Sequence, residues 1–350
     1  MKITTVEAIY PDYQHVAPSW RSDLWQIVVR IETDRGHTGY GYGGGGLASL
    51  QIVNGHFGEL LAGRSLDSVD DIAAIWDHLY AESIPYGRKG IAIMALSGVD
   101  LALWDALGKA EGLPVCSLIN SSGRKSNIRC YATGPDTEWH AELGYTGTKR
   151  PHRSTGAASE RDDLAGWAEE GRNLFGPDGL LMIDTYMSWD FETTVAMADR
   201  LKEFDFHWFE DVLTPDHMEE QSALKDAIGA VNLAGGEHEF TLWGFRDLAL
   251  NNALDIWQPD ITWCGGITAG IRIVDLARQH SVPVVPHRGG EVWGLHLIAA
   301  TDCEDLAEVV TGPRNGSADI IWDGAPVPRD GYIDVLDRPG FGVELGDDIA

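Results

Sequence analysis

Acidic residues close successive apolar runs at the spacing of one strand, loop and helix. Asp184 ends LLMID, Glu210 ends FHWFE and Glu237 ends VNLAGGE, at intervals of 26 and 27 residues. Asp260, ending DIWQPD, and His287, ending VPVVPH, follow at 23 and 27. This rhythm fits a barrel of parallel strands and helices, in which the C-terminal strand ends converge on one mouth and the active site sits there. Three carboxylates meeting at one mouth repel each other unless a cation joins them. An all-oxygen set suits Mg²⁺, a hard ion that keeps positions open for substrate. The following Asp and His, on adjacent strand ends, read as a general base and its orienting partner.

Strand runs before and after these residues complete the barrel. NIRCYA, YTGTK, LLMID, HWFED, VNLAGG, DIWQPD, VPVVPH and LAEVV make eight candidates, and most precede a helical pattern such as FETTVAMADRLKEF. The first connection, through PDTEWHAEL, has room for only a short helix. Residues 1 to about 50 are β-rich, and residues 51–117 carry helical periodicity, with IAIMALSGVDLALWDALGKAEG stopping at Gly112 before Pro114. Strands followed by a block of helices indicate an α+β module. The expected fold is a modified TIM barrel, (β/α)7β, at 121–320, with an α+β capping domain at 1–120. A tail at 321–350 is expected to fold back on the cap.

Each candidate residue has an ordinary reading as well. An acidic residue after a strand often caps the next helix, but three on consecutive strands, then Asp and His, are hard to place by chance. Glu308, ending the last strand, is either a surface acid or a hydrogen-bonding partner for a substrate hydroxyl. Lys149, after the second strand, either pairs with a substrate carboxylate or is solvated. His238, next to Glu237, is structural or catalytic with equal claim. The run GYGYGGGG (39–46) contains a formal GxGxxG. It lacks the helix and the downstream acid of a dinucleotide site and reads as a loop near the mouth. WCGG (263–266) reads as a tight turn, and Cys264 has no His partner that would make it a nucleophile.

At these residues the chain resembles the enolase superfamily, mandelate racemase group, and within it the L-rhamnonate dehydratases. The likeness is carried by YGRKGI (86–91), SGVDLALWDALGK (97–109), YATG (131–134), TGTKRP (146–151), MIDTYMSWD (182–190), GEH (236–238), QPDITWCGG (258–266), VVPH (284–287) and PGFGVEL (339–345). It implies Asp184, Glu210 and Glu237 as Mg²⁺ ligands, His287 as the base paired with Asp260, and Glu308 across the site. The implied chemistry removes the proton α to a carboxylate, then expels the β-hydroxyl, giving a 2-keto-3-deoxy acid. Enolase-type sites with a His or Lys base and Mg²⁺ are a named example of this chemistry. Racemases of the group often carry Lys-x-Lys after the second barrel strand. Here Lys149-Arg150-Pro151 stands in its place, and a proline moves no proton.

L-Rhamnonate dehydratases also carry a longer N-terminal segment that contributes to the substrate pocket. Here only PDYQHVAPSWRSDLW (11–25) is present, so His15, Trp20 and Arg21 are the candidates for substrate contact. The expected substrate is an aldonate of five or six carbons. Two other readings stay open: a racemase or epimerase using His287 with His238, and a silent homologue that binds an acid metabolite. A zinc hydrolase fits poorly with ligands that are all carboxylate. By family habit a homo-oligomer is expected.

Charge and cysteine use narrow the setting. With a formal net charge of −28, nucleic acid is not an expected partner. No run reads as a membrane span, MKITTVEAIY does not read as a signal peptide, and four cysteines without CxxC spacing read as reduced thiols in a cytoplasmic protein. The 26 basic residues are 19 Arg and only 7 Lys. Such an acid excess reads as adaptation to high salt, where self-repulsion is screened. Circular dichroism should therefore show structure lost in low salt and kept in molar salt; indifference to salt would end this reading.

Overall fold

The alternating N-terminal runs pair as an antiparallel sheet of β1 (Ile3–Ile9), β2 (Ile27–Thr33) and β3 (Thr38–Gly43), in that order. Here and below the structure is a computed structural model that describes residues 1–349 except 158, 230, 313, 315–318, 347 and 348. The turn between β2 and β3 places Gly36 at φ 80°, which glycine adopts without strain. The helix Val69–Ser83 starts with a reciprocal cap, Ser68 and Asp71 each bonding the other's backbone N–H. The helix Ile91–Glu111 ends at Gly112, in the left-handed region at φ 68°.

Ile91–Glu111 is apolar on nearly every side because it lies between the sheet and the barrel. It is long and apolar enough to cross a membrane, but its surface is almost wholly buried inside the protein. Two buried carboxylates on it act as clamps. Asp100 accepts from the backbone N–H (3.0 Å) and hydroxyl of Thr268, so the cap supplies the N-terminal partner of the barrel helix Gly266–His280. Burial outweighs these bonds and pushes Asp100 up to about 7. Asp105 accepts from Tyr40 N (2.8 Å) and Phe341 N (2.8 Å) and pairs with Lys109, joining β3 and the C-terminal tail to one helix.

The glycine run 39–46 is not the expected loop. Its first five residues lie in β3, Gly44 and Gly45 form a short bend, and Gly46 opens the helix Gly46–Ile52. A Cβ on Gly39 would lie 2.1 Å from the Ala102 carbonyl oxygen, and one on Gly41 2.0 Å from that of Gly98. Glycine here lets strand backbone touch helix backbone. Only the end of the run borders the barrel mouth, where Gly44 meets the Trp263 indole.

The barrel strands are β4 (Ile128–Thr133), β5 (Gly147–Pro151), β6 (Leu180–Asp184), β7 (Trp208–Glu210), β8 (Asn232–Gly235), β9 (Ile256–Trp257) and β10 (Leu306–Val310). They are parallel and run in the order β10-β4-β5-β6-β7-β8-β9. The expected strand VPVVPH is reduced to isolated bridges, Trp257 with Val284 and Asp260 with His287. Pro283 and Pro286 have no N–H to give, so a continuous ladder cannot form. Glu304 N to Val284 O (2.9 Å) and Gly290 N to Glu308 O (2.7 Å) carry the segment across to β10. The connection after β4 holds the short helix Thr137–Glu142, as its sequence implies.

Tyr131, Met182, Trp208, Ala234, Ile256, Val285 and Leu306 fill the barrel interior. Side chains alternate along a strand. Asp184, Glu210, His287 and Glu308 each stand two residues beyond a member of this layer, so they share its inward face one level nearer the mouth. Glu308 is mid-strand rather than terminal, since β10 continues to Val310.

The tail meets both halves of the protein, not the cap alone. Trp322 of β11 (Trp322–Asp323), which pairs with β13 (Glu344–Leu345), packs on Tyr40 and Tyr42 of the cap. In between, β12 (Tyr332–Ile333) adds antiparallel to barrel strand β4. All four cysteines are buried free thiols.

The glycine argument makes a contrast. Gly41→Ala should cost roughly 3 kcal/mol, since backbone must part from backbone. Gly55→Ala, with nothing within 4 Å of the new methyl, should be neutral or gain up to ~1 kcal/mol. Urea unfolding measures both; equal losses would refute the close-approach explanation.

Candidate active site

The strand register brings the acidic residues to one level. Asp184 on β6 pairs with Glu210 on β7, and Glu210 with Ala234 on β8, three residues before Glu237. Lys149 on β5 pairs with Met182, so it starts one layer deeper and its long stem lifts the ammonium to the carboxylates.

Lys149 is 1% exposed, and the reading of it as a solvated lysine falls. Its Nζ contacts Glu210 Oε1 and lies 2.8 Å from Glu308 Oε1. Burial alone would lower its pKa, but Glu210 and Glu308 raise it well above the ordinary value. Lys149 therefore stays an ammonium. In this setting it offers charge and hydrogen bonds. Glu308 also accepts from Thr133 Oγ1 (2.5 Å) and from Arg288 N (2.7 Å). Glu210 Oε2 accepts from Trp208 Nε1 (2.9 Å) and Gln258 Nε2 (2.8 Å), while Gln258 Oε1 is buried without a partner among the described residues.

Asp184 accepts from Tyr186 N (3.0 Å) and has no cation bonded to it among the described residues. Burial, followed by the charge of Glu210, pushes it up to about 8. Burial would also raise Glu237, but His287 (2.9 Å) and His238 (3.2 Å) hold it down at about 2. The acids thus face one another strongly enough for one to retain a proton at neutral pH. A buried, like-charged oxygen set of this kind fits a hard divalent cation.

A second grouping competes with that set. Asp211, Glu237 and His238 offer ligand atoms within 4.8 Å of one another, whereas the strand-end triad is not gathered that tightly. Glu237 belongs to both groups. Its oxygens turn toward two imidazoles, which draws it away from Asp184 and Glu210. We favour the triad because its members are all hard oxygen donors on consecutive strand ends, while the second set mixes carboxylate with imidazole.

The Asp260–His287 pair forms as its spacing implies. His287 Nδ1 lies 2.8 Å from Asp260 Oδ2, leaving Nε2 on the side of Glu237. Burial would lower His287, but Glu237 and Asp260 raise it well above the ordinary value. Burial would raise Asp260, but Arg288, His287 and Thr262 hold it far below the carboxylate range. Arg288 donates to Asp260 Oδ2 from Nε (3.0 Å) and Nη2 (2.7 Å). His238 is partly open at the mouth, 35% exposed, and stacks on Trp263.

The N-terminal candidates divide. Arg21 lies over the rings of Trp25 (4.3 Å) and Trp20 (5.5 Å), and its charge is felt by Tyr186, Arg288 and Glu237, which places it at the mouth. His15 is not brought to the acidic cluster by any contact among the described residues. Its Nδ1 (3.2 Å) and backbone N (3.0 Å) bind Asp319, so it ties the cap to the segment after β10.

Sequence reasoning missed Asp211, Arg288, Gln258 and Gln26. Asp211 and Arg288 directly follow Glu210 and His287, so doubled polar residues at a strand end were the available signal. Gln258 opens the QPDITWCGG run but carries no acid-base signal of its own, and Gln26 left no signal.

Comparison with known proteins agrees with this architecture. Residues 5–120 match the family described as mandelate racemase / muconate lactonizing enzyme, N-terminal domain, and residues 139–349 match the enolase C-terminal domain-like family. A relative from Caldivirga maquilingensis, provisionally named an L-rhamnonate dehydratase, is 34% identical over 99% of this chain and 88% of its own length. The crystal structure of L-rhamnonate dehydratase from Gibberella zeae superposes with a TM-score of 0.88 at 28% identity, covering 99% of this chain and 94% of that one. The same enzyme complexed with Mg gives 0.89. The 3,6-anhydro-D-galactonate cycloisomerase from Zobellia galactanivorans gives 0.85 at 28% identity, covering 99% and 98%. With both halves matched over nearly its whole length, the chain belongs to the mandelate racemase group of the enolase superfamily.

Proposed function

We propose that the protein is a Mg²⁺-dependent acid-sugar dehydratase acting on an aldonate of five or six carbons. The observation that carries the reading is the Asp260–His287 bond of 2.8 Å beside the buried carboxylates. The relatives named L-rhamnonate dehydratase support the class of substrate, and L-rhamnonate is the first compound to try.

Asp184, Glu210 and Glu237 are the residues that would hold Mg²⁺, and the ion would supply positive charge for the carboxylate oxygens as the α-proton leaves. Asp260 takes the proton on His287 Nδ1 and fixes the ring, and Nε2, which faces Glu237, is the nitrogen left to exchange a proton with substrate. His287 Nε2 takes the α-proton and can return a proton to the departing β-hydroxyl. Lys149 and Glu308, already bonded to each other, place a donor and an acceptor at the mouth beside His287. Arg21 gives the mouth a cation with no carboxylate within ion-pair distance among the described residues. Pro151, level with Asp184, stands where a second base would sit in a racemase. That favours elimination over inversion, which needs a proton group on each face. His238 is the one imidazole placed to revive an epimerase reading, since it shares Glu237 with His287.

A screen of aldonates with Mg²⁺ in high salt, scored for 2-keto-3-deoxy product, tests the reading. His287→Asn should keep Mg²⁺ binding yet lose product formation and solvent exchange of the α-proton by roughly 10³-fold or more. Exchange that survives would move the base elsewhere, and deuterium uptake without keto product would favour the epimerase.

Asp184 supplies a second test. Its pKa is raised, so the proton is bound below about pH 8 and must leave when a cation binds. Mg²⁺ affinity should rise with pH up to about 8 and flatten above it. Calorimetry at pH 7 in two buffers of different ionisation enthalpy should show proton release; none would contradict the shared-proton arrangement.

A further inference from the structure

Gln26 belongs to the cap, immediately before β2, and is 0% exposed. Its carboxamide reaches across to the barrel. Oε1 accepts from Trp263 Nε1 (2.8 Å), and Nε2 donates to Thr262 Oγ1 (3.0 Å). An indole nitrogen only donates, so the amide orientation follows from chemistry. Tyr13 Oη donates to the Gln26 carbonyl (2.9 Å) and fixes the backbone as well.

The Thr262 hydroxyl is fully used. It accepts from Gln26 Nε2 and from Arg288 Nη2 (2.6 Å), which leaves its single proton for Asp260 Oδ1 (2.7 Å). Asp260 Oδ1 also accepts Thr262 N (2.8 Å), and Oδ2 takes His287 Nδ1. Without the Gln26 donor, the hydroxyl has an acceptor lone pair unpaired in a buried place. Trp263, the other residue Gln26 holds, lies against His287 (ring centroids 6.0 Å) and stacks on His238 (6.2 Å). One cap side chain therefore reaches both supports of the His287 ring, the carboxylate through Thr262 and the neighbouring indole directly.

We propose that Gln26 is a positioning residue for the Asp260–His287 pair, through which the seating of the cap on the barrel sets the orientation of the base. The proposal rests on the reading of His287 as the base, though its geometric part does not. It predicts that a substitution remote from substrate and metal alters proton transfer more than binding.

Two variants separate the bonds. Gln26→Leu removes both. Gln26→Glu keeps an oxygen for Trp263 and takes away the donor to Thr262. With the aldonate turned over, both should lower kcat and α-proton exchange in parallel by roughly 10- to 100-fold, the range expected for a misplacement of about 1 Å. KM should change by less than about threefold, and Mg²⁺ affinity should hold, because neither variant touches a carboxylate of the triad. Gln26→Glu made in a Thr262→Val background should add little, because the bond it removes runs through the Thr262 hydroxyl. Full additivity, or wild-type kcat in both single variants, would overturn the proposal.

Proton NMR of ¹⁵N-histidine-labelled protein at fixed pH removes the dependence on turnover. The His287 Nδ1–H signal, assigned by its loss in His287→Asn, should shift or broaden in both Gln26 variants. An unmoved signal in a folded Gln26→Glu protein would refute the positioning role whatever the substrate is. If the signal moves but His287→Asn still exchanges the α-proton, the base reading has failed while the geometric link stands.

Discussion

The structure depends on how a set of buried carboxylates is kept from repelling itself apart. Asp184, Glu210, Glu237, Asp260 and Glu308 all sit at or near one barrel mouth, away from water. Ionised carboxylates in such a place cost several kcal/mol each unless paired. Lys149 lies between Glu210 and Glu308, Arg288 grips Asp260, and His287 bridges Asp260 and Glu237. Among the described residues Asp184 alone of the five has no cation within ion-pair distance, and it is the member pushed up to about 8. Five carboxylates thus meet three cationic side chains, Lys149, Arg288 and His287, and negative charge is left over. A cofactor cation completes its charge balance as well as its chemistry.

That balance requires rigid placement, and the cap supplies part of it. The helix Ile91–Glu111 gives Asp100 to the N-terminus of a barrel helix and Asp105 to the sheet and the tail. Trp76 Nε1 donates to Gly265 O (2.7 Å), and Gln26 holds Thr262 and Trp263. Four of these contacts fall on or beside the segment 260–268, which also carries the partner of the base. The cap therefore does more than cover the mouth. It is hydrogen-bonded to the loop that orients His287.

Much of this was legible in the chain because regular periods leave marks. Acids recurring at strand ends identified the mouth. Lys149 was ambiguous because nothing local tells a buried lysine from a solvated one; its fate depends on carboxylates 61 and 159 residues away. The glycine run misled for a related reason. Glycine that allows a turn and glycine that admits a helix backbone look alike until the partner helix is in place. The segment VPVVPH read as a strand by composition, yet its two prolines leave too few donors for a ladder.

The sequence by itself determined the barrel order and the residues reaching its mouth, since both follow from local period and residue type. Only the tertiary structure decided the charge states and the alignment of the dyad. Lys149 meets two carboxylates, Asp184 is pushed up by burial and by Glu210, Glu237 turns to two imidazoles, and Gln26 reaches Thr262 across the domain contact. Burial and electrostatic coupling act through space, between groups that the chain sets far apart, so no local pattern records them.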